Sequence, residues 1–305
     1  MKNKKIINIL TIILLSAGVL LLFYPAINNI IFVYNQKQVI DSYNSNIINL
    51  DSQQVENMKE DAKAYNENLS KGAVGDTVDL SQSSEPVSGN LPYSQLLNVE
   101  NEQIGYIVIE KIGLNQPIFH GTEDATLEKG IGHMVNTSLP MGGENTHCVL
   151  TGHTGVPGMM LFTDLDKMEM GDCFYIKVLD EVLKYEVDNI RVVLPNVTEY
   201  FRIEEGRDLV TLVTCTPYGV NSHRLLVRGT RVPYNGEIDV KQENVDAQNN
   251  DSTQDSVVTA DTKRAKISTR FVLYYIVTPA LICTIITLLV ILSKKRKRKK
   301  AENSQ

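Results

Sequence analysis

From Ile104 to about Val232 the chain is a succession of short apolar, β-branched runs separated by turn residues. The runs are Tyr106–Ile109, Cys148–Leu150, Phe174–Val178, Leu183–Val187, Arg191–Leu194, Leu209–Thr214 and Leu225–Val232. Short strands at such spacing must bury their apolar faces against one another, and the pattern predicts a closed or partly closed β-barrel. Upstream the period changes. Ile40, Tyr43, Ile47 and Leu50, then Val55, Met58, Ala62, Tyr65 and Leu69, recur at spacings of three and four, which predicts one or two helices packed on the domain. Residues 71 to 92 are rich in Gly, Ser, Asp and Gln, with Pro86 and Pro92, and read as a loop or flap.

Both ends of the chain are apolar and basic. Ile6 to Phe23 follows Lys2, Lys4 and Lys5, and its apolar character continues past Pro25 to Val33. No Ala-x-Ala cleavage site stands out, so an uncleaved anchor is expected rather than a signal peptide. Phe271 to Leu292 is long enough to cross a bilayer, and Lys294 to Lys300 is wholly basic. Positive residues beside a span stay in the cytoplasm, so two spans put both termini inside and the middle outside. The Asn-, Asp-, Gln- and Ser-rich residues 235 to 262 read as a flexible tether to the second span. With the basic residues gathered at the ends of a chain of net charge −6, the middle is acidic, which argues against nucleic acid as a partner.

Of the four cysteines, Cys148 and Cys173 lie in strand-like runs and read as small buried residues, and Cys283 lies in the second apolar span. No CxxC or Cys/His ligand spacing is present, so neither a metal nor another cofactor is expected. The fourth cysteine differs. Cys215 closes an apolar run, Leu209–Thr214, and Arg224 opens the next. The run Cys148-Val149-Leu150 ends in Thr151-Gly152-His153-Thr154-Gly155, where glycines let the backbone turn and leave a ring exposed. A cysteine attacks as its thiolate, which a nearby imidazolium favours. His153 is the candidate acid/base. His120, His133, His147 and His223 are weaker candidates. A guanidinium is always charged and can hold an oxyanion. Arg224 is placed for that task, and Arg228, four residues on and on the same side of a strand, is the alternative for orienting a carboxylate or substrate. Thr214 and His223 flank the pair and are candidate substrate contacts.

Thr-Leu-Val-Thr-Cys-Thr-Pro-Tyr with Asn-Ser-His-Arg-Leu-Leu-Val-Arg-Gly, residues 211 to 229, strongly resembles the signature of sortases and looks like the pilus-assembling class C branch. Ile104 to Ile109, His120-Gly121-Thr122, Ser138 to Gly143, Leu161-Phe162 and Met168 to Asp172 fit as well. The resemblance covers about residues 93 to 234. It implies an eight-stranded sortase barrel with short helices, an N-terminal helical segment and flanking transmembrane helices. It also implies Cys215 as nucleophile, His153 as acid/base and Arg224 as stabiliser of the tetrahedral intermediate. The family cuts a motif like Leu-Pro-x-Thr-Gly between Thr and Gly through a thioacyl enzyme. In class C the resolving amine is usually a lysine of another pilin, so pilins or other surface proteins with C-terminal sorting signals are the implied partners. Two positions depart from the family. Glu85-Pro86-Val87 and Leu91-Pro92-Tyr93 stand where many class C enzymes carry a lid with an Asp-Pro-aromatic motif, and Thr154 stands where many relatives have arginine. The organisation expected is an anchor over 1–34, a helical segment and flap over 35–92, a catalytic barrel over 93–234, a tether over 235–268, a span over 269–293 and a basic tail over 294–305. Housekeeping wall anchoring, thiol hydrolysis and a non-catalytic binding module are the competing readings.

Overall fold

The computed structural model describes residues 2–73, 87–88 and 91–236. The tether from 237 on, the second apolar span and most of the 71–92 loop lie outside the described residues. Two long helices come first, α1 (Lys2–Asn49) and α2 (Ser52–Ala73). From Ile31 on, α1 belongs to the same compact unit as the described residues that follow it. Among the described residues no helix is long and apolar enough to cross a membrane.

Eight strands close a barrel: β1 (Gln103–Ile109), β2 (Leu114–His120), β3 (Ile131–His133), β4 (Thr146–Thr151), β5 (Cys173–Val178), β6 (Glu181–Val193), β7 (Asp208–Thr216) and β8 (His223–Val232). Their order around the barrel is β8-β6-β5-β1-β2-β3-β4-β7. The barrel is mixed. β2 pairs β3 and β4 pairs β7 in parallel, and the other neighbours are antiparallel. Closure leaves no strand edge open.

The runs Leu183–Val187 and Arg191–Leu194 turn out to be one strand, β6. Asp188 and Asn189 interrupt its apolar pattern, yet the strand continues: Asn189 pairs with Arg228, Val187 pairs with Gly229, and Asp188 is the extra residue at the register shift between them. Two strands were not visible as runs. β2 contains Asn115, Gln116 and Pro117, and β3 is three residues long.

Alternation sorts the strands into two faces. Cys148 and Leu150 of β4, Val210 and Leu212 of β7, and Leu225 and Val227 of β8 enter the main core. Val149, Val213 and Leu226 point the other way and form a second, smaller apolar cluster with Phe201 on the barrel's outside. The helices brace the barrel from elsewhere. Ala62 and Tyr65 of α2 join the main core. Tyr43 donates to the Ile104 carbonyl at 2.9 Å and accepts from the Leu179 amide at 2.8 Å. Asn66 pairs with the Leu139 backbone through both of its amide atoms. Lys59 bridges Asp180 and Glu181 in the β5–β6 turn.

After the 71–92 segment, Tyr93, Leu96 and Leu97 are buried in the core. The Tyr93 hydroxyl lies 2.7 Å from Nδ1 of His133. Before them, Val87–Ser88 pairs antiparallel with Leu91–Pro92.

Candidate active site

Cys215 and Arg224 are direct cross-strand partners, the second-last residue of β7 opposite the second residue of β8. In the alternation of the two strands, Cys215 follows Val213 and Arg224 precedes Leu226, so both fall on the outer face with the second apolar cluster. His223 pairs Thr216 and faces the opposite way, with its Nδ1 2.9 Å from the Ser222 hydroxyl.

His153 follows the end of β4. Thr151 is registered beside Val213 as the last pair of the parallel β4–β7 ladder, and His153 and Cys215 each lie two residues further along their own chain segment. The connection is tightly held. The Gly152 amide donates to the Val213 carbonyl at 3.1 Å. The Thr214 hydroxyl donates to the Gly152 carbonyl at 2.7 Å. The His153 carbonyl accepts from the Phe162 amide at 3.0 Å, where a short 3-10 helix, Phe162–Lys167, begins. Gly152 is buried, and a Cβ there would stand 2.7 Å from Ile131 Cδ1 and 2.9 Å from the Phe162 ring. Gly155 has a φ of +73°, and the Tyr218 ring closes over it.

Burial separates the histidines. His133 is fully enclosed, and its Nε2 donates to the Ser138 carbonyl at 2.9 Å while Nδ1 accepts from Tyr93. His147 donates through Nδ1 to the Arg202 carbonyl at 2.7 Å, and its Nε2 lies 2.8 Å from the Thr211 hydroxyl. One neutral tautomer satisfies both contacts in each ring. Burial pushes His133 down to about 3 and His147 down to about 4. His120 is lowered too, chiefly by burial. These three rings stay in the core, whereas His153 is only half-buried at a strand end.

The cysteines divide in the same way. Cys148 is buried, and burial pushes its thiol well above the ordinary value, so it stays a protonated core residue. Cys148 and Cys173 are not bridged, and Cys215 is half-buried on the outer face.

The two arginines also part. Arg228 donates from Nε and from a terminal nitrogen to Asp188, at 2.9 and 3.0 Å, and to Glu204 at 2.7 Å. Arg207 and Thr230 complete that cluster. Burial would raise the Asp188 and Glu204 carboxyls, but hydrogen bonds from Arg228, Thr230 and Arg207 outweigh it for Asp188, and Arg207 with the Arg228 charge does so for Glu204. Both are held below the usual carboxylate range. Among the described residues Arg224 hydrogen-bonds only to main-chain carbonyls, those of His223 at 3.1 Å and Asn221 at 3.3 Å. The orienting role that Arg228's spacing left open is therefore internal, since the carboxylates it holds belong to the barrel. Thr214 is buried, with its hydroxyl on Gly152. Phe162 and Tyr218, which support the turn around His153, carry no sequence signal of their own beyond the motifs that contain them. Among the described residues no group of three His, Cys, Asp or Glu side chains is placed to hold a metal ion.

A sequence model of the sortase domain matches residues 107–232. The solved sortase C of Streptococcus pneumoniae is 43% identical, with a TM-score of 0.58 over 66% of this chain and 100% of that one. Sortase C of Clostridium perfringens, solved with the C-terminal cell wall sorting motif, is 38% identical, with a TM-score of 0.56 over 65% of this chain and 99% of that one. Sortase A of Streptococcus agalactiae serotype III is 28% identical over 227 residues, 71% of this chain and 84% of the relative. The protein is a cysteine transpeptidase. It belongs to the sortase family, and the solved relatives at about this identity are sortases of class C.

Proposed function

We propose that Cys215, His153 and Arg224 are the catalytic residues of a membrane-anchored pilus sortase. The enzyme cleaves a Leu-Pro-x-Thr-Gly-like motif and passes the acyl group to a pilin lysine. The observation that carries this reading is the direct Cys215–Arg224 pair of the antiparallel strands β7 and β8 on the outer face of the barrel, with β7 running parallel to β4, the strand that leads to His153. The Cys215 thiolate attacks the threonine carbonyl carbon, and a sulfur–carbon bond forms. Arg224 donates to the resulting oxyanion. His153, as imidazolium, gives its proton to the glycine nitrogen as the carbon–nitrogen bond breaks. The thioacyl enzyme then waits for an amine. Neutral His153 takes a proton from the incoming lysine, the new amide bond forms and the thiolate leaves.

Thr214 keeps the His153 turn docked on β7 rather than touching substrate, and His223 remains a candidate contact at the rim. The pilin acceptor is supported by the resemblance to class C enzymes and by the pilin specificity named for the pneumococcal relative. A sorting motif as donor is supported by the Clostridium relative, solved with one. The basic-flanked runs at 6–33 and 271–292 support two spans with the barrel outside the cell.

The test is thioester trapping with a sorting-motif peptide. The wild-type chain gives an acyl adduct on Cys215, and Cys215→Ala gives none. An adduct or cleavage in Cys215→Ala sinks the assignment. Adding a lysine-bearing pilin fragment converts the adduct to an isopeptide. Free acid as the sole product, with the acceptor present, would make the enzyme a hydrolase.

A further inference from the structure

The outer face of β6, β8 and β7 carries a groove of about 270 Å³ that acyl transfer leaves unused. Its walls include Arg191, Tyr200, Glu204, Leu226 and Arg228. We propose that this groove receives the donor segment just N-terminal to the sorting motif, and that it favours an acidic side chain there. This rests on the transpeptidase reading above.

The chemistry sets the direction. His153 must reach the leaving nitrogen, so the part of the substrate beyond the scissile bond lies on the β4 side of Cys215. The retained acyl part then runs the other way, over β8 toward β6. Along β8, Arg224, Leu226 and Arg228 share one face, and opposite them on β6 lie Val193, Arg191 and Asn189. Four strand residues advance about 13 Å, the distance from Arg224 to Arg228. Four extended residues, Leu-Pro-x-Thr, span about 13 Å as well. The apolar cluster of Val149, Val213, Leu226 and Phe201 underlies that stretch, and the residue before the motif falls at the groove.

The groove's charge names its ligand. Arg191 lies 5.0 Å from the Tyr200 ring centre, and its Nε donates to Asn189 at 2.9 Å. An aromatic ring and an amide thus hold it in place, leaving its terminal N–H groups for a carboxylate. Arg202 of the same loop has a buried Nε with no hydrogen-bond partner among the described residues. Arg207 and Arg228 are taken up by Asp188 and Glu204, so among the described residues Arg191 is the groove-lining arginine with no carboxylate partner.

Two donor peptides decide it, identical in motif but preceded by Glu-Glu or by Lys-Lys. They are compared as acyl donors for the full-length chain in detergent micelles. The expected preference for Glu-Glu is about fivefold in kcat/KM and resides in KM, as a partly exposed charge-assisted pair predicts. Arg191→Glu should reverse the ratio and Arg191→Ala should reduce it. The ratio is internal to each protein, so partial misfolding does not mimic the result. Equal use of both peptides by wild type overturns the assignment. So does a Glu-Glu preference unchanged in both variants, or an Arg191 effect confined to the KM of the acceptor amine. If neither peptide acylates Cys215, the transpeptidase reading fails first and the groove assignment falls with it.

Discussion

Acidification from pH 7.5 to pH 5 should remove a large part of the barrel's stability, through two buried histidines. His133 and His147 are held neutral, near 3 and 4, against an unperturbed value of 6.5. The unfolded chain therefore takes up protons as pH falls below 6.5, while the folded chain does not. Stability rises with pH across that interval, and it falls as pH drops from 6.5 toward the folded values. Each pH unit is worth about 1.4 kcal/mol per group. At pH 5 each histidine costs about 2 kcal/mol relative to pH 7.5, or about 4 kcal/mol together, against a typical total of 5–15. Other groups matter less in this window. His120 has both ring nitrogens within 2.9 Å of carbonyl oxygens, which favours the charged ring against burial and shrinks its share. Asp188 and Glu204 are held below the usual range and titrate lower. Asp208, which burial raises, acts with the opposite sign. The chain has no tryptophan, so urea unfolding is followed by tyrosine fluorescence. With a urea slope of about 2 kcal/mol per molar, the midpoint should drop by about 2 M. His147→Gln, destabilised at neutral pH, should lose about half of the pH dependence. A wild-type midpoint that does not move between pH 6.5 and 5, or a variant with the full wild-type slope, refutes the argument.

The two arginines should separate by assay. Arg224→Ala is expected to lose thioester formation by about a hundredfold or more, as an oxyanion donor does, with its melting temperature unchanged. Arg228→Ala should lose about 2 kcal/mol in urea unfolding, because Asp188 and Glu204 keep their burial with fewer partners. Gly152→Ala should lower the acylation rate by more than its loss of stability explains, since Phe162 and the His153 turn must shift to admit the methyl group. Single-turnover rates and thermal melts on the same sample check both points. Iodoacetamide should label Cys215 in the native chain and leave Cys148 untouched, which peptide mapping reads directly.

Much of the candidate site was legible because its residues sit at strand ends. Cys215 and Arg224 are nine residues apart, with one turn between two apolar runs, and such local pairing leaves a mark in sequence. The placement of His153 does not. It depends on the parallel β4–β7 pair, which joins residues about sixty positions apart, and no periodicity encodes that contact. The choice between Arg224 and Arg228 was hidden for the same reason, because Asp188 and Glu204 come from β6 and from the segment leading to β7. β2 and β3 escaped notice because pairing on both sides lets a strand tolerate Pro117 and Gln116, or shrink to three residues, without an apolar run of its own.

The barrel's interior explains why the proposed chemistry lies outside it. Phe174, Tyr185, Ile107, Leu150 and Leu212 fill the core, and no side chain can leave without opening a void. A peptide substrate must then lie across the outer face, where Phe201 packs on Val149 of β4, Val213 of β7 and Leu226 of β8. That geometry has a kinetic consequence. If the acyl chain occupies the β8–β6 side, the vacated β4 side beside His153 is open to the incoming amine. Donor and acceptor then approach the same sulfur from opposite flanks. The thioacyl enzyme need not release its first substrate's retained half before admitting the second, which is the requirement for joining two proteins rather than hydrolysing one.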